Sequence, residues 1–315
     1  MMTDARKLNI IGVDAGGSKT EIILSDAEGR VQARALRGPG NPNDVGVDAC
    51  VDIIADAVGE LLKGTMPDAL FAGISGAGSG DNAQRIRQGL IDRLGDGCAV
   101  EVGTDAQNLL AMGKDRGDTA ALICGTGSAI FFERDGHIHR VGGWGYLFDH
   151  GGSGYDIGRD ALAELLAAEE GFAPYGELCG ILSDRLQSSA HDALAKIYSG
   201  GKAYIASFAH CVSEAFGRGD AAAEKIILKN VDAVCSRLEI LKKLYGAEGE
   251  LICGGGLFND ADFSSLLAQK ARAIGFELYI PKLPQSFGAC VRAAELVSKV
   301  DRVAFGKCFN NSYKQ

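Results

Sequence analysis

Three glycine-rich turns directly follow apolar runs: Gly16, Gly17, Ser18, Lys19 and Thr20 after IIGVDA; Gly125, Thr126, Gly127 and Ser128 after ALIC; and Gly254, Gly255 and Gly256 after LIC. Glycine removes the Cβ that would keep a backbone N–H away from a phosphate oxygen, and a neighbouring Ser or Thr adds a hydroxyl donor. Each turn alone also fits a plain strand connection that needs only a positive φ. A fourth loop, GGWGYLFDHGGSGY from Gly142 to Tyr155, sets the single tryptophan, Trp144, between Gly143 and Gly145 and then offers Asp149 and His150. An aspartate beside a histidine can read polar groups of a ligand, or can simply be hydrogen-bonded in place.

The elements that must hold these turns alternate in type. LNIIGVD, TEIILSD and RVQARAL are three extended runs joined by Gly-containing turns, the pattern of an antiparallel set. The strand-like run Glu21 to Asp26 after the first turn, and the lack of a G-x-G-x-x-G spacing, disfavour a dinucleotide fold. Val47, Val51, Ile54, Val58, Leu61 and Leu62 recur at helical spacing; ALFAGIS and AVEVG read as strands, with helices near 82–94 and after Asp105. AALICG, SAIFFER and HIHRV then restart the three-strand pattern, about a domain's length after the first. The economical reading is an α/β chain built by duplication of a βββαβα unit. The expected domains are 1–113 and 114–315, with a helical insertion at about 153–246 and a final helix, about 287–303, that packs back on the first domain.

The chain of 315 residues is 46% hydrophobic and 23% charged, as expected of a globular protein. A net charge of −9 with no basic run argues against nucleic acid. Nine scattered cysteines without a C-x-x-C pair fit reduced core residues, and no apolar run is long enough to span a membrane. A cytoplasmic location with no membrane partner is expected.

Taken in order, GVDAGGSKTE, GPGNP, GTDAQN, ICGTGS, GGWGY, GSGYDIG and ICGGG resemble segments of the N-acetylglucosamine kinase-like members of the BadF/BadG/BcrA/BcrD ATPase family, within the sugar kinase, heat-shock ATPase and actin superfamily. The resemblance runs from about Ile10 to Ala294 and implies duplicated ribonuclease H-like, actin-like ATPase domains. It implies ATP and Mg2+ as cofactors, a small-molecule sugar as substrate and a homodimer. Asp14 would hold Mg2+, and Gly16 to Thr20 would cradle the ATP phosphates. Gly125, Thr126 and Gly127 would form a second phosphate hairpin, with Gly254 to Gly256 at the adenosine. Asp105 would be the catalytic base and touch the sugar, with Asn41, Ser128, Gly143, Trp144, Gly145, Asp149 and His150 as further substrate residues. Each position also has a local use: Asp14 as a strand-end acid, Asp105 as a helix N-cap, Asn41 as the turn residue before Pro42.

The fourth loop departs from the resemblance. Where the family has Gly-Asp-Glu before GSG, this chain has Asp149, His150 and Gly151. Either Asp149 replaces the missing carboxylate, or His150 reads a different substrate group. His137, His139, His191 and His210 have no ligand spacing, which speaks against zinc. The leading reading is an ATP-dependent kinase of an amino sugar, N-acetylglucosamine or glucosamine. An activator ATPase of an acyl-CoA dehydratase, which would share an iron–sulfur cluster through exposed cysteines, and a sugar-sensing pseudo-kinase are the alternatives.

Overall fold

The computed structural model describes residues 8–113, 119–149 and 151–314. Its contacts divide the chain into two compact units, Met1–Arg116 with Pro281–Gln315, and Gly117–Ile280. The segment after 280 therefore belongs with the first unit, where the sequence placed only its helix.

The first unit begins with β1 (Ile10–Ala15), β2 (Thr20–Ser25) and β3 (Val31–Arg37), then α1 (Pro42–Val45), α2 (Val47–Leu62), β4 (Ala69–Ile74), α3 (Asn82–Leu94), β5 (Ala99–Gly103) and α4 (Asp105–Leu110). Its sheet runs β3-β2-β1-β4-β5, antiparallel on one side of β1 and parallel on the other. Buried residues occupy nearly every position of β1, β2 and β4, as expected for strands covered on both faces. The helical period of α2 turns Cys50, Val51, Ile54, Ala57, Val58 and Leu62 to that sheet.

The second unit holds β6 (Thr119–Cys124), β7 (Ser128–Arg134) and β8 (His137–Gly142), five helices α5 (Gly154–Glu169), α6 (Glu177–Leu186), α7 (Ala190–Ser207), α8 (Ala209–Gly217) and α9 (Ala221–Tyr245), then β9 (Gly249–Gly254), α10 (Ala261–Ile274) and β10 (Phe276–Tyr279). Its sheet, read as β8-β7-β6-β9-β10, repeats the order and the strand directions of the first. In α9, Ile226, Ile227, Val231, Val234, Leu238 and Leu241 are buried along one side, as their spacing predicts.

The chain returns to the first unit with α11 (Gln285–Glu295) and α12 (Arg302–Tyr313). The helix expected near 287–303 ends at Glu295, and a further helix that the sequence did not announce follows at 302–313, where Asp301 caps the start: its Oδ1 accepts from Val303 N and Ala304 N, both at 3.0 Å. Phe305 and Phe309 of α12 are buried against Phe287 of α11.

Candidate functional site

In the first unit the phosphate-type turn is short and closed, with Gly16 N donating to Lys19 O at 2.9 Å. Gly17, Ser18 and Lys19 are exposed, whereas Thr20 is fully buried. The Thr20 hydroxyl donates to Gly38 O (3.0 Å) and Gly40 N donates to Gly16 O (3.0 Å). Thr20 therefore ties the loop before Asn41 to the turn, a use different from the phosphate contact expected of it. Asn41 caps α1, its Oδ1 accepting from Asn43 N at 3.0 Å, and this employs the amide oxygen but not the amide nitrogen.

Asp14 is the penultimate residue of β1 and lies opposite Glu21 of β2 and Gly73 of β4. Burial pushes its carboxyl up to about 6; the Asn108 N–H opposes this, Asp105 and Glu21 add to it, and Lys19 opposes it again. Glu21 is itself buried and is held by Ser286 Oγ (2.8 Å) and Tyr313 OH (2.7 Å) of α11 and α12. Asp105 is the first residue of α4, and the cap is its neighbour Thr104, whose N–H donates to Gln107 Oε1 at 2.9 Å. The N-cap role open to Asp105 in the sequence is thus filled by Thr104, while Asp105 Oδ1 accepts from Ala106 N at 3.0 Å. Burial raises the Asp105 carboxyl above its usual value, partly offset by the Ala106 N–H and the Ser75 hydroxyl. Two carboxylates with different neutral donors, a hydroxyl and an amide, stand close enough in one unit to feel each other's charge. Such a pair can divide labour between a cation and a proton.

In the second unit the turn closes through Gly125 N to Gly127 O at 2.8 Å, and Thr126 and Gly127 are exposed. The first turn of α5 locks onto it, with Gly154 N donating to Gly125 O (2.8 Å) and Tyr155 N to Thr126 O (3.3 Å). A cavity of about 470 Å³ is lined by Gly125, Thr126 and Gly256 together with α7 and α8 residues such as Ala206, His210 and Ser213. Gly255 has φ 105°, and a Cβ there would lie 2.3 Å from Cys124 O, so the strand-to-turn passage at the cavity edge requires glycine. Ser128, by contrast, is buried; its hydroxyl accepts from Arg237 Nη2 of α9 at 2.9 Å, so its oxygen serves the interior.

Arg237 also donates to Gly151 O (2.8 Å), and Asn230 Oδ1 accepts from Gly152 N (2.8 Å), so α9 anchors one end of the Trp144 loop. At the other end Trp144 is 63% exposed under the Arg140 guanidinium, 3.7 Å from its ring centroid. Asp149 is folded back, its Oδ2 accepting from Gly145 N at 3.0 Å. Its carboxylate closes the loop between Gly145 and Asp149; His150 lies outside the described residues. Gly143 has φ 76°, and a Cβ there would come 2.7 Å from the Ala129 side chain.

Sequence reasoning missed Ser75, Asn108, Arg237 and the helical wall of the cavity. Only Asn108 carried a signal, as the last letter of GTDAQN.

Residues 11–291 match the family described as the BadF/BadG/BcrA/BcrD ATPase family. The chain belongs to this family. It is 29% identical over 269 residues to the N-acetylmuramic acid/N-acetylglucosamine kinase of Clostridium acetobutylicum, covering 81% of this chain and 87% of that one. It is 27% identical over 283 residues to the N-acetyl-D-glucosamine kinase of Dictyostelium discoideum, covering 82% and 89%. The fold is shared with a candidate N-acetylglucosamine kinase from Chromobacterium violaceum at TM-score 0.71 and 22% identity, over 90% of this chain and 98% of that one. A glucokinase of the ROK family from Streptomyces griseus, solved with glucose and AMPPNP, aligns at TM-score 0.56 and 19% identity, over 91% and 98%.

Proposed function

We propose that this family member is an ATP-dependent kinase that transfers the γ-phosphoryl group to a hydroxyl of an amino sugar, N-acetylglucosamine or glucosamine. The observation that carries the reading is the carboxylate pair of the first unit, Asp14 at a strand end and Asp105 on a separate helix, each with its own donor. The kinase activities of the curated relatives agree with it.

In this reading Asp105 orients the acceptor hydroxyl and takes its proton as the phosphoryl group arrives, a role that suits a carboxyl raised by burial. The Ser75 hydroxyl favours the charged form of that carboxyl. The amides of Gly16, Gly17, Ser18 and Lys19 bind phosphate oxygens, and the Lys19 ammonium adds charge. The cavity beside Gly125, Thr126 and Gly256 takes the adenosine. Asn41 offers its amide nitrogen to a sugar oxygen. Asp14 fits Mg2+ because it is a carboxylate buried at a cost that a divalent cation reverses. Mg2+, when bound, neutralises charge on the phosphates. Gly143, Trp144 and Gly145 form part of the sugar-reading loop, and Arg237 acts on it through Gly151.

Among nine free cysteines, eight are buried and only Cys308 is partly exposed, which favours the kinase over an activator that shares a cluster through exposed cysteine loops. The same reduced cysteines fit a cytoplasmic enzyme, and the homodimer implied by the family belongs to this proposal. Among the described residues no helix is long and apolar enough to cross a membrane.

The test is ATP turnover by the pure protein with N-acetylglucosamine, glucosamine, N-acetylmannosamine, N-acetylmuramic acid and glucose, with Asp105→Asn as control. Sugar-dependent turnover that the variant loses supports the kinase. Turnover that no sugar stimulates would sink it and leave the activator or sensor readings.

A further inference from the structure

Asn108 lies one helical turn after Asp105 on α4 and is fully buried. Its Nδ2 donates to Asp14 Oδ1 at 2.8 Å and approaches Val13 O and Gly73 O, each at 3.4 Å. Three acceptors around one nitrogen fix which way the amide faces, since a reversed amide would set oxygen against oxygen. The amide fits only because residue 73 is glycine: a Cβ there would stand 2.1 Å from Asn108 Oδ1. Behind it, Gly288 of α11 packs so tightly that a Cβ would lie 1.8 Å from Asn108 O.

The Asn108 side-chain oxygen is buried without a hydrogen-bond partner. An orphan amide oxygen destabilises a fold, and an apolar residue of similar volume would avoid that penalty. A side chain kept for packing alone would not carry it. What the asparagine supplies in return is a donor aimed at a carboxylate, on the same short helix that presents the other carboxylate.

We propose that Asn108 is a positioning residue for phosphoryl transfer: it holds one oxygen of Asp14, leaving the other for Mg2+, and fixes the helix that bears Asp105 against the end of β1. The inference rests on the kinase reading for Asp105, but its Asp14 half concerns nucleotide binding alone. Asp14 is thus set by a neutral amide, and the Ser75 hydroxyl favours the charged form of the Asp105 carboxyl. Partners of this kind behind a metal-holding carboxylate typically change affinity or rate by about ten- to a hundredfold.

The experiment titrates the full chain with AMP-PNP, once with saturating Mg2+ and once with EDTA, alongside kcat, KM for sugar and thermal unfolding. Asn108→Ala and the near-isosteric Asn108→Leu, which lacks the N–H2 donor, are expected to weaken binding of the Mg2+ complex about ten- to a hundredfold and to lower kcat similarly. Binding in EDTA and KM for sugar should stay within about threefold. Leu90→Ala, a core truncation in α3 of the same unit, serves as the matched destabilised control and should leave Mg2+-dependent binding unchanged. Wild-type affinity for the Mg2+ complex in both Asn108 variants, or equal weakening by Leu90→Ala, would overturn the proposal. So would a wild-type protein that gains nothing from Mg2+. If the wild type binds the Mg2+ complex but phosphorylates no sugar, the kinase reading falls while the comparison of Asn108 with Leu90 still decides this one. Should Asn108→Ala fail to fold, the near-isosteric Asn108→Leu carries the test.

Discussion

The two units carry the same strand order, yet the position facing a glycine across the central parallel pair is Asp14 in the first and Ile123 in the second. Around Asp14 the first unit gathers Glu21, Asp105 and Asn108, whereas the second surrounds its turn with Gly154, Gly255, Gly256 and a cavity whose wall mixes glycine, alanine and serine with His210, Leu257 and Asp260. Under the proposed function, one copy of the scaffold would work through side-chain charge and the other mainly through backbone and shape. A duplicated fold supplies two turns able to approach a phosphate, and substitution at one strand end is enough to give only one of them a cation-type carboxylate.

The sharpest way to break the contrast is at Asp105. Asp105→Asn should cut kcat on the order of 10²- to 10⁴-fold with the circular dichroism spectrum and KM for ATP preserved. Retention of rate would mean that the first unit holds no base. In the parent enzyme the acid limb of kcat/KM should lie above the ordinary carboxylate range, because burial raises the Asp105 carboxyl. A limb at the free-carboxylate value would show another group titrating.

Asp14→Asn tests the cost of charge in this unit. The folded-state value is about 6 against an ordinary 3.8, so the folded protein holds its proton more tightly than the unfolded chain. Stability is therefore lost as pH rises from about 3.8 through 6, and the cost is fully present above that window. The neutral variant should unfold at higher temperature near neutral pH, by on the order of 1–3 kcal/mol, while losing Mg2+-dependent activity. A variant that is less stable as well as inactive would contradict this.

The strand-end acid, the helix-opening acid and the glycine turns were legible because residue type and local spacing carry them. Ser75 and Arg237 were not, since their partners lie 30 and 109 residues away and only the packed sheet brings them together. Thr20 and Ser128 differ from the exposed residues of their turns. As the first residues of β2 and β7 they fall on the buried side, so their hydroxyls serve the interior although each follows a glycine turn. The fold was plainer, because periods of two and of 3.6 survive averaging over whole segments. The break between α11 and α12 turned on one capping side chain, Asp301.

In the second unit the expected effects are smaller and fall on affinity. Ala206→Leu, which fills part of the cavity, should raise KM for ATP about tenfold, equivalent to about 1.4 kcal/mol, with KM for sugar unchanged. Arg237→Met should cost about 1–3 kcal/mol in unfolding free energy by leaving Ser128 and the Gly151 carbonyl unpaired, and should raise KM for sugar more than KM for ATP. Equal changes in both constants would remove the distinction between a sugar loop and a nucleotide cavity.

The bond from Tyr313 to Glu21 reaches across 292 residues, from the last turn of the final helix to the strand that follows the phosphate-type turn. Any change that disturbs this last turn, such as a substitution at Tyr313, therefore acts on a buried carboxylate directly opposite Asp14. A kinase assay on a chain altered there would report on the state of Glu21 as much as on the chosen substrate.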